Sequence, residues 1–143
     1  MKIRIAAFVN YLVAVMMMVM GIIYLTKTSF MSYHGDAISL NWDEVDQNTR
    51  VLILALMRGI SGGLISVSIT VLFLEFKFIS SKLKWIPVLI VIVGIILSSS
   101  IIYAMLIVKI NTPGNPPIAL AFSGTVLLIT GYFLNRGVTK EMS

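Results

Sequence analysis

Long uninterrupted runs of apolar residues, separated by short polar stretches, dominate the chain. A helix needs roughly 20 apolar residues to cross a bilayer. Four runs reach or approach that length, and they are Ile5–Leu25, Val51–Phe76, Trp85–Val108 and Pro117–Leu134. Apolar residues continue along each run without the alternation typical of barrel strands, so each run predicts a helix. The pattern predicts an all-α fold in which residues 1–143 form one integral membrane domain, a four-transmembrane-helix bundle.

Composition supports the membrane class. The chain is 58% hydrophobic and only 12% charged, whereas ordinary soluble domains carry about 25% charged residues. The net charge of +5 does not indicate a nucleic-acid partner, because the basic residues lie at the ends of the runs rather than in one patch. The absence of cysteine excludes thiolate catalysis and cysteine metal sites.

The distribution of Lys and Arg predicts the orientation. One side would hold Lys2, Arg4, Lys77, Lys82, Lys84, Arg136 and Lys140, and the other Lys27, Arg50 and Lys109. This excess places both termini in the cytoplasm. We expect a multi-pass protein of the cell membrane, the inner membrane of a bacterium, with membrane lipids as its immediate partners.

The outer loop, residues 26–50, is the one long connection between runs. Asn41 followed three residues later by Glu44 resembles a capping box. It predicts that the second helix begins near Trp42 and runs without a break to about Phe76. The preceding piece, residues 30–38, mixes apolar and polar residues, so we expect it to lie on the membrane surface or to fold over the bundle mouth.

Arg58 stands out as the only ionised residue well inside a run. It lies seven residues past Val51, about 10 Å along a helix. Counting from the ends of the third and fourth runs places Tyr103 and Ser123 at a similar depth, and Ser100 shares a helix face with Tyr103. These four residues predict an outward-facing polar pocket that binds an anionic or lipid-like ligand, covered by a loop that carries His34 and Asp36.

Other interpretations of these residues stay open. Arg58 is long enough to extend to the headgroups, or it pairs with Asp36 or Asp46 of the outer loop. An arginine inside a membrane span nevertheless indicates a functional site by default, because burying its charge in the bilayer is costly. His34 fits either an ordinary surface histidine or a pH-sensitive group in a lid.

Small residues near Arg58 form a stripe at helical spacing. Gly59, Gly63 and Ser66 lie four and three positions apart, which is the small-xxx-small pattern that lets another helix approach closely. They predict a helix-packing face.

Several short strings resemble a family of small four-helix bacterial integral membrane proteins. The strings are Tyr33-His34, Ala37-Ile38, Trp42, Gln47, Leu56-Met57-Arg58-Gly59, Gly62-Gly63, Thr112-Pro113 and Pro116-Pro117. The resemblance implies a four-helix membrane fold, and it supplies no catalytic residues to carry over.

Three functions remain as hypotheses. The first is a ligand-binding, transport-related protein built around Arg58, in a homo-oligomer or larger membrane complex. The second is an accessory subunit that docks another membrane protein through the Gly59/Gly63 face. The third is an enzyme acting on a lipid or quinone, and it is the least favoured because no carboxylate pair or metal-ligand spacing occurs. We expect no catalytic residues, cofactor or metal.

Overall fold

Four long helices form from the four apolar runs. The computed structural model describes residues 2–140, and we number its helices in chain order: α1 Lys2–Thr26, α2 Ser32–Ile38, α3 Gln47–Ser81, α4 Ile86–Asn111 and α5 Ile118–Lys140. Within these residues there is no strand. All the helices except α2 are long and apolar enough to span a membrane. The all-α prediction is confirmed, and the structure supports a multi-pass membrane protein.

The long helices contact one another in the cyclic order α1, α3, α4, α5, with α1 against α3 the most extensive pair. We call the end that holds residues 2 and 140 the terminal end, and the opposite end the α2 end. One cluster of buried apolar side chains lies toward the terminal end and includes Val13, Val71, Phe78, Ile90 and Leu128. A smaller cluster lies at the α2 end and contains Tyr24, Phe30, Val45 and Met57.

Helices α1 and α3 approach closely because small residues lie between them. A side chain at Gly21 would meet Leu64 and the backbone of Ile65. Further along the same interface, the Ser68 hydroxyl donates a 2.7 Å hydrogen bond to the carbonyl of Ala14. In a membrane such close backbone approach and interhelical hydrogen bonding drive association, because lipid supplies no hydrophobic force between helices.

The start of α3 differs from the prediction. The chain forms a single 3₁₀ turn over Trp42–Glu44, and Val45 and Asp46 then have extended backbone conformations. The Glu44 carboxylate does accept from the Asn41 N–H at 2.7 Å. The prediction of a continuous helix from Trp42 is wrong, because Asp46 provides a second cap. Its carboxylate accepts from the N–H groups of residues 48 and 49 at 3.1 Å each, which satisfies donors that a helix start leaves free.

Arg50 stabilises this break. Its Nε donates to the Val45 carbonyl at 2.7 Å, and its Nη2 donates to the Asp43 carbonyl at 2.6 Å. The guanidinium also lies 5.5 Å from the centre of the Trp42 ring, within the range of a cation–π contact. Asp46, considered above as a partner for Arg58, instead caps α3, and its hydrogen bonds hold the pKa of that carboxyl below the ordinary value.

The close α1–α3 contact predicts opposite results for two glycine substitutions. In Gly21→Ala the new Cβ would lie 2.7 Å from Ile65 Cγ1 and 3.3 Å from the Ile65 nitrogen. Overpacking of this kind costs about 1–3 kcal/mol. Gly59 has open space around it, so Gly59→Ala should be neutral or stabilising by about 0.4–1 kcal/mol. Unfolding of the purified protein in detergent measures both, and equal stability of the two variants would contradict the packing described.

Candidate functional site

A cavity of about 110 Å³ lies between the four long helices, and it extends from their middle toward the α2 end. Helix α1 contributes Val13, Met16, Met17, Met20 and Tyr24, and α3 contributes Ile60 and Leu64. Helix α4 contributes Leu97, Ser98, Ile101 and Met105, and the start of α5 contributes Pro117, Leu120, Ala121, Gly124 and Thr125. The cavity is partly open to the exterior rather than sealed.

The cavity borders a part of α5 that is not in close contact with its neighbours, whereas α5 is tightly packed toward the terminal end. At the terminal end, Gly94 of α4 lies directly against the Leu128 side chain of α5, and Gly131 of α5 lies directly against the Asn10 amide of α1. Nearer the α2 end, a side chain at Gly124 of α5 would meet nothing within 4 Å. The same helix is thus in tight contact at one level and borders open space at another.

The lining offers almost no hydrogen-bonding capacity to a ligand. Its side-chain hydroxyls other than that of Tyr24 bond within their own helices: Ser98 donates to the Ile95 carbonyl, and Thr125 donates to the Ala121 carbonyl at 3.0 Å. Four methionines supply flexible, polarizable side chains that adapt to irregular apolar shapes. This chemistry suits a hydrocarbon chain and gives no site for a bare ion.

Helix α2 lies over the connection between α4 and α5. Gly114 of that connection is buried beside the Tyr33 carbonyl and the Ala37 side chain, with no room for a Cβ. Residues 30–38 therefore fold over this end of the helices, one of the two arrangements expected for them. The connection itself is held by a 2.8 Å hydrogen bond from Lys109 Nζ to Asn115 Oδ1.

A pair of tyrosines connects α2 to the cavity. The Tyr24 and Tyr33 hydroxyls share a hydrogen bond, and the buried Tyr24 also lines the cavity. Burial, together with the hydrogen bond that it shares with Tyr24, raises the pKa of Tyr33 far above its ordinary range. The Tyr33 hydroxyl therefore stays neutral and able to donate at every physiological pH.

His34, which follows Tyr33 in α2, is also partly buried. The centre of its ring lies 4.2 Å from the centre of the Tyr33 ring, in an edge-on arrangement. Its Nδ1 atom is buried and has no hydrogen-bond partner among the residues that the structure describes. Burial lowers the pKa of the imidazole below the ordinary value of 6.5, so His34 is neutral at pH 7. Asp36, by contrast, is exposed on α2.

The structure does not bring together the four residues predicted to form the polar pocket, which are Arg58, Tyr103, Ser100 and Ser123. Arg58 is exposed, and its side chain makes no hydrogen bond or ion pair with residues in the described range. Tyr103 is 68% exposed. The hydroxyls of Ser100 and Ser123 donate to the carbonyls of Ile96 and Leu120 in their own helices, at 2.9 and 2.8 Å. None of these four residues lines the cavity, so anion binding by Arg58 stays a prediction.

The small residues predicted to form one packing face, Gly59, Gly63 and Ser66, have different surroundings in the structure. Gly63 faces α4, where a Cβ would lie 3.6 Å from Leu97. Gly59 and Gly62 meet nothing within 4 Å, and Ser66 is exposed. The predicted stripe is therefore part helix contact and part exposed surface.

A buried polar cluster lies at the terminal end, and the sequence pattern did not indicate its members Glu75 and Asn135. Glu75 of α3 is fully buried and accepts hydrogen bonds at Oε2 from Asn10 Nδ2 of α1 and Asn135 Nδ2 of α5, at 2.8 and 2.9 Å. Glu75 lies one residue before Phe76, where the second apolar run ends, and hydropathy alone does not distinguish it from the charged residues usual at the end of a span. The position of Glu75 on the buried face of α3 could have been recognised from helical spacing. The residues that share this face include Ser61, Ser68, Val71, Glu75 and Phe78.

Among residues 2–140, no group of three or more His, Cys, Asp or Glu side chains is arranged to hold a metal ion. Comparison with known proteins finds no matching family model, no matching curated protein and no matching solved structure. The features of the chain that bear on function are the cavity, α2 and the buried cluster.

The buried imidazole of His34 predicts that stability falls in mild acid. Its pKa is lowered in the folded state, so the unfolded chain binds the proton first as the pH drops below about 6.5. The contribution of His34 to stability should be constant above that pH and decline as the pH falls toward the lowered pKa of the folded state. Thermal unfolding between pH 5 and 8 measures this decline.

The variant His34→Phe serves as the control, because it keeps a ring against Tyr33 and removes the titrating group. It should lose the decline of stability below about pH 6.5. A profile identical to that of the unaltered protein would show that another group is responsible.

Proposed function

We propose that the protein is a four-span membrane protein that binds a lipid-like molecule in the cavity between its helices. The excess of Lys and Arg at the terminal end supports an orientation with both termini in the cytoplasm and the α2 end outside. The proposed ligand is a molecule with a hydrocarbon chain, such as a phospholipid acyl chain or an isoprenoid tail. Membrane lipids are the natural source of such chains.

The observation that carries this proposal is the apolar cavity itself. Protein interiors pack with few voids larger than a water molecule, whereas about 110 Å³ stays open between these helices. A cavity with so few free polar groups does not hold ordered water well, and it favours apolar guests. The four flexible methionines of the lining would close on a chain of varying shape.

Helix α2 and the two tyrosines support a defined orientation of the ligand. The Tyr24 hydroxyl, at the α2 end of the cavity, already shares a hydrogen bond with Tyr33. A polar headgroup at this end would exchange hydrogen bonds with the two hydroxyls, while the chain extends toward Val13. Arg58 lies on the exposed surface of α3 rather than in this cavity, so an anionic headgroup is not required by the proposal.

An accessory role is the second candidate. Gly59 and Gly62 leave open space on an exposed face of α3 next to Arg58. Another transmembrane helix could approach that face closely. This function would not use the cavity, which allows the two candidates to be separated.

Filling the cavity tests the proposal. Gly124 lines the cavity and has open space where its side chain would be, so Gly124→Leu should occupy the ligand volume with little strain elsewhere. Native mass spectrometry of protein released from detergent should show retained lipid on the unaltered chain. We expect at least a tenfold lower retained fraction on Gly124→Leu, which corresponds to about 1.4 kcal/mol of lost binding.

Gly62→Leu is the matched control, since Gly62 also has open space but lies outside the cavity. It should retain lipid as the unaltered protein does. Equal retention by both variants would contradict the cavity as the binding site. Loss of a co-purifying membrane protein from Gly62→Leu alone would favour the accessory role instead.

A further inference from the structure

Three oxygen atoms without hydrogen-bond partners lie in the buried cluster at the terminal end. They are Glu75 Oε1, Asn10 Oδ1 and Asn135 Oδ1. Each belongs to a side chain that is 0% exposed, and the three side chains come from α3, α1 and α5. Nothing in the described part of the chain donates to them.

The orientation of the two amides follows from the carboxylate. An ionised carboxylate only accepts hydrogen bonds, so both asparagines must turn their NH₂ groups toward it. Both do so, at 2.8 and 2.9 Å from the same oxygen, Oε2. The free ends of the cluster are therefore all acceptors: two amide oxygens and the second carboxylate oxygen.

Gly131 keeps one of these oxygens close to the backbone of α5. The Asn10 amide occupies the space where a Cβ at position 131 would be, and its Oδ1 is the atom nearest to that point. Asn135 lies four residues further along α5, on the same face of that helix. The amide oxygen from α1 thus reaches the part of α5 that carries the second asparagine.

We propose that this cluster is a binding site for a monovalent cation, with Na⁺ as the fitting ion. Hard cations prefer oxygen ligands from carboxylates and amide carbonyls. One carboxylate with two neutral amides carries a single negative charge, which a monovalent ion neutralises. A divalent ion would leave a net positive charge buried among apolar side chains, where an uncompensated charge is strongly disfavoured.

A proton or a water molecule fits the cluster less well. A proton on Glu75 Oε1 would provide one donor, which leaves an amide oxygen unpaired. A water molecule would provide two donors for three acceptors, and the carboxylate charge would stay uncompensated. A cation coordinated by the three oxygens would satisfy all of them and the charge together. This site is separate from the lipid cavity, since none of its three side chains lines that cavity.

Thermal unfolding of the purified full-length chain in detergent tests the proposal, with NaCl compared against choline chloride at equal ionic strength. An ion that binds only the folded chain raises the Tm, and the rise grows with ion concentration. We expect such a rise with Na⁺ and none with choline. No difference between the two salts would overturn the proposal, as would stability that changes with pH alone and is indifferent to Na⁺.

Glu75→Gln separates ion binding from ordinary packing. Glutamine keeps the shape and can donate to an amide oxygen, so the variant should fold and lose the Na⁺ effect. Asp43→Asn makes the same chemical change on an exposed carboxylate and should keep the full effect. A Na⁺ effect that survives in Glu75→Gln would contradict the site.

Direct binding of radioactive Na⁺ to the unaltered protein decides the matter even where Glu75→Gln does not fold. We expect saturable binding of one ion per chain. Absence of saturable binding would overturn the proposal.

Discussion

The buried carboxylate of Glu75 is the constraint from which the rest of the arrangement follows. A carboxylate with no access to water needs hydrogen bonds, and it obtains them from one amide on α1 and one on α5. These bonds fix three helices relative to one another at the terminal end. Gly131 is part of the same arrangement, because any side chain there would displace the Asn10 amide. Leaving such a group unpaired would cost about 1–3 kcal/mol or more.

The cavity lies beyond this closely packed region, nearer the α2 end. The cluster, the Gly94–Leu128 contact and the Gly131–Asn10 contact hold α1, α3, α4 and α5 together toward the termini. Further along, α1 and α3 stay in contact through Gly21, whereas Gly124 of α5 borders open space. An apolar cavity thus forms between the helices, and α2 folds over the connection at that end. The proposed binding of a lipid-like molecule depends on this apolar cavity, with the polar cluster holding the helices together at the other end.

The sequence pattern was sufficient to predict the membrane-spanning helices, but not which face of each helix is buried. Runs of apolar residues identify membrane-spanning helices because hydropathy measures composition along the chain. Hydropathy does not say which face of a helix is buried, so depth alone placed Arg58 beside Tyr103 although both are exposed. Glu75 was missed for the opposite reason, since it lies near the end of a run yet on the buried face. The start of α3 was not predicted correctly because Asn41 and Asp46 are both residue types that cap helices. In the structure α3 begins after Asp46, and this arrangement is stabilised by the burial of Val45 and by the hydrogen bond from Arg50 to the Val45 carbonyl. No motif encodes the cavity, which depends on how four helices fill the space between them.

The most direct test of this account is an experimental density map of the protein in a lipid nanodisc at a resolution that shows side chains. The account predicts elongated non-protein density between the four helices, in contact with Met17 and Met105 and ending near Tyr24, with Glu75 enclosed by its two asparagines at the terminal end. A map in which α1 and α4 meet and close the space around those methionines would contradict it.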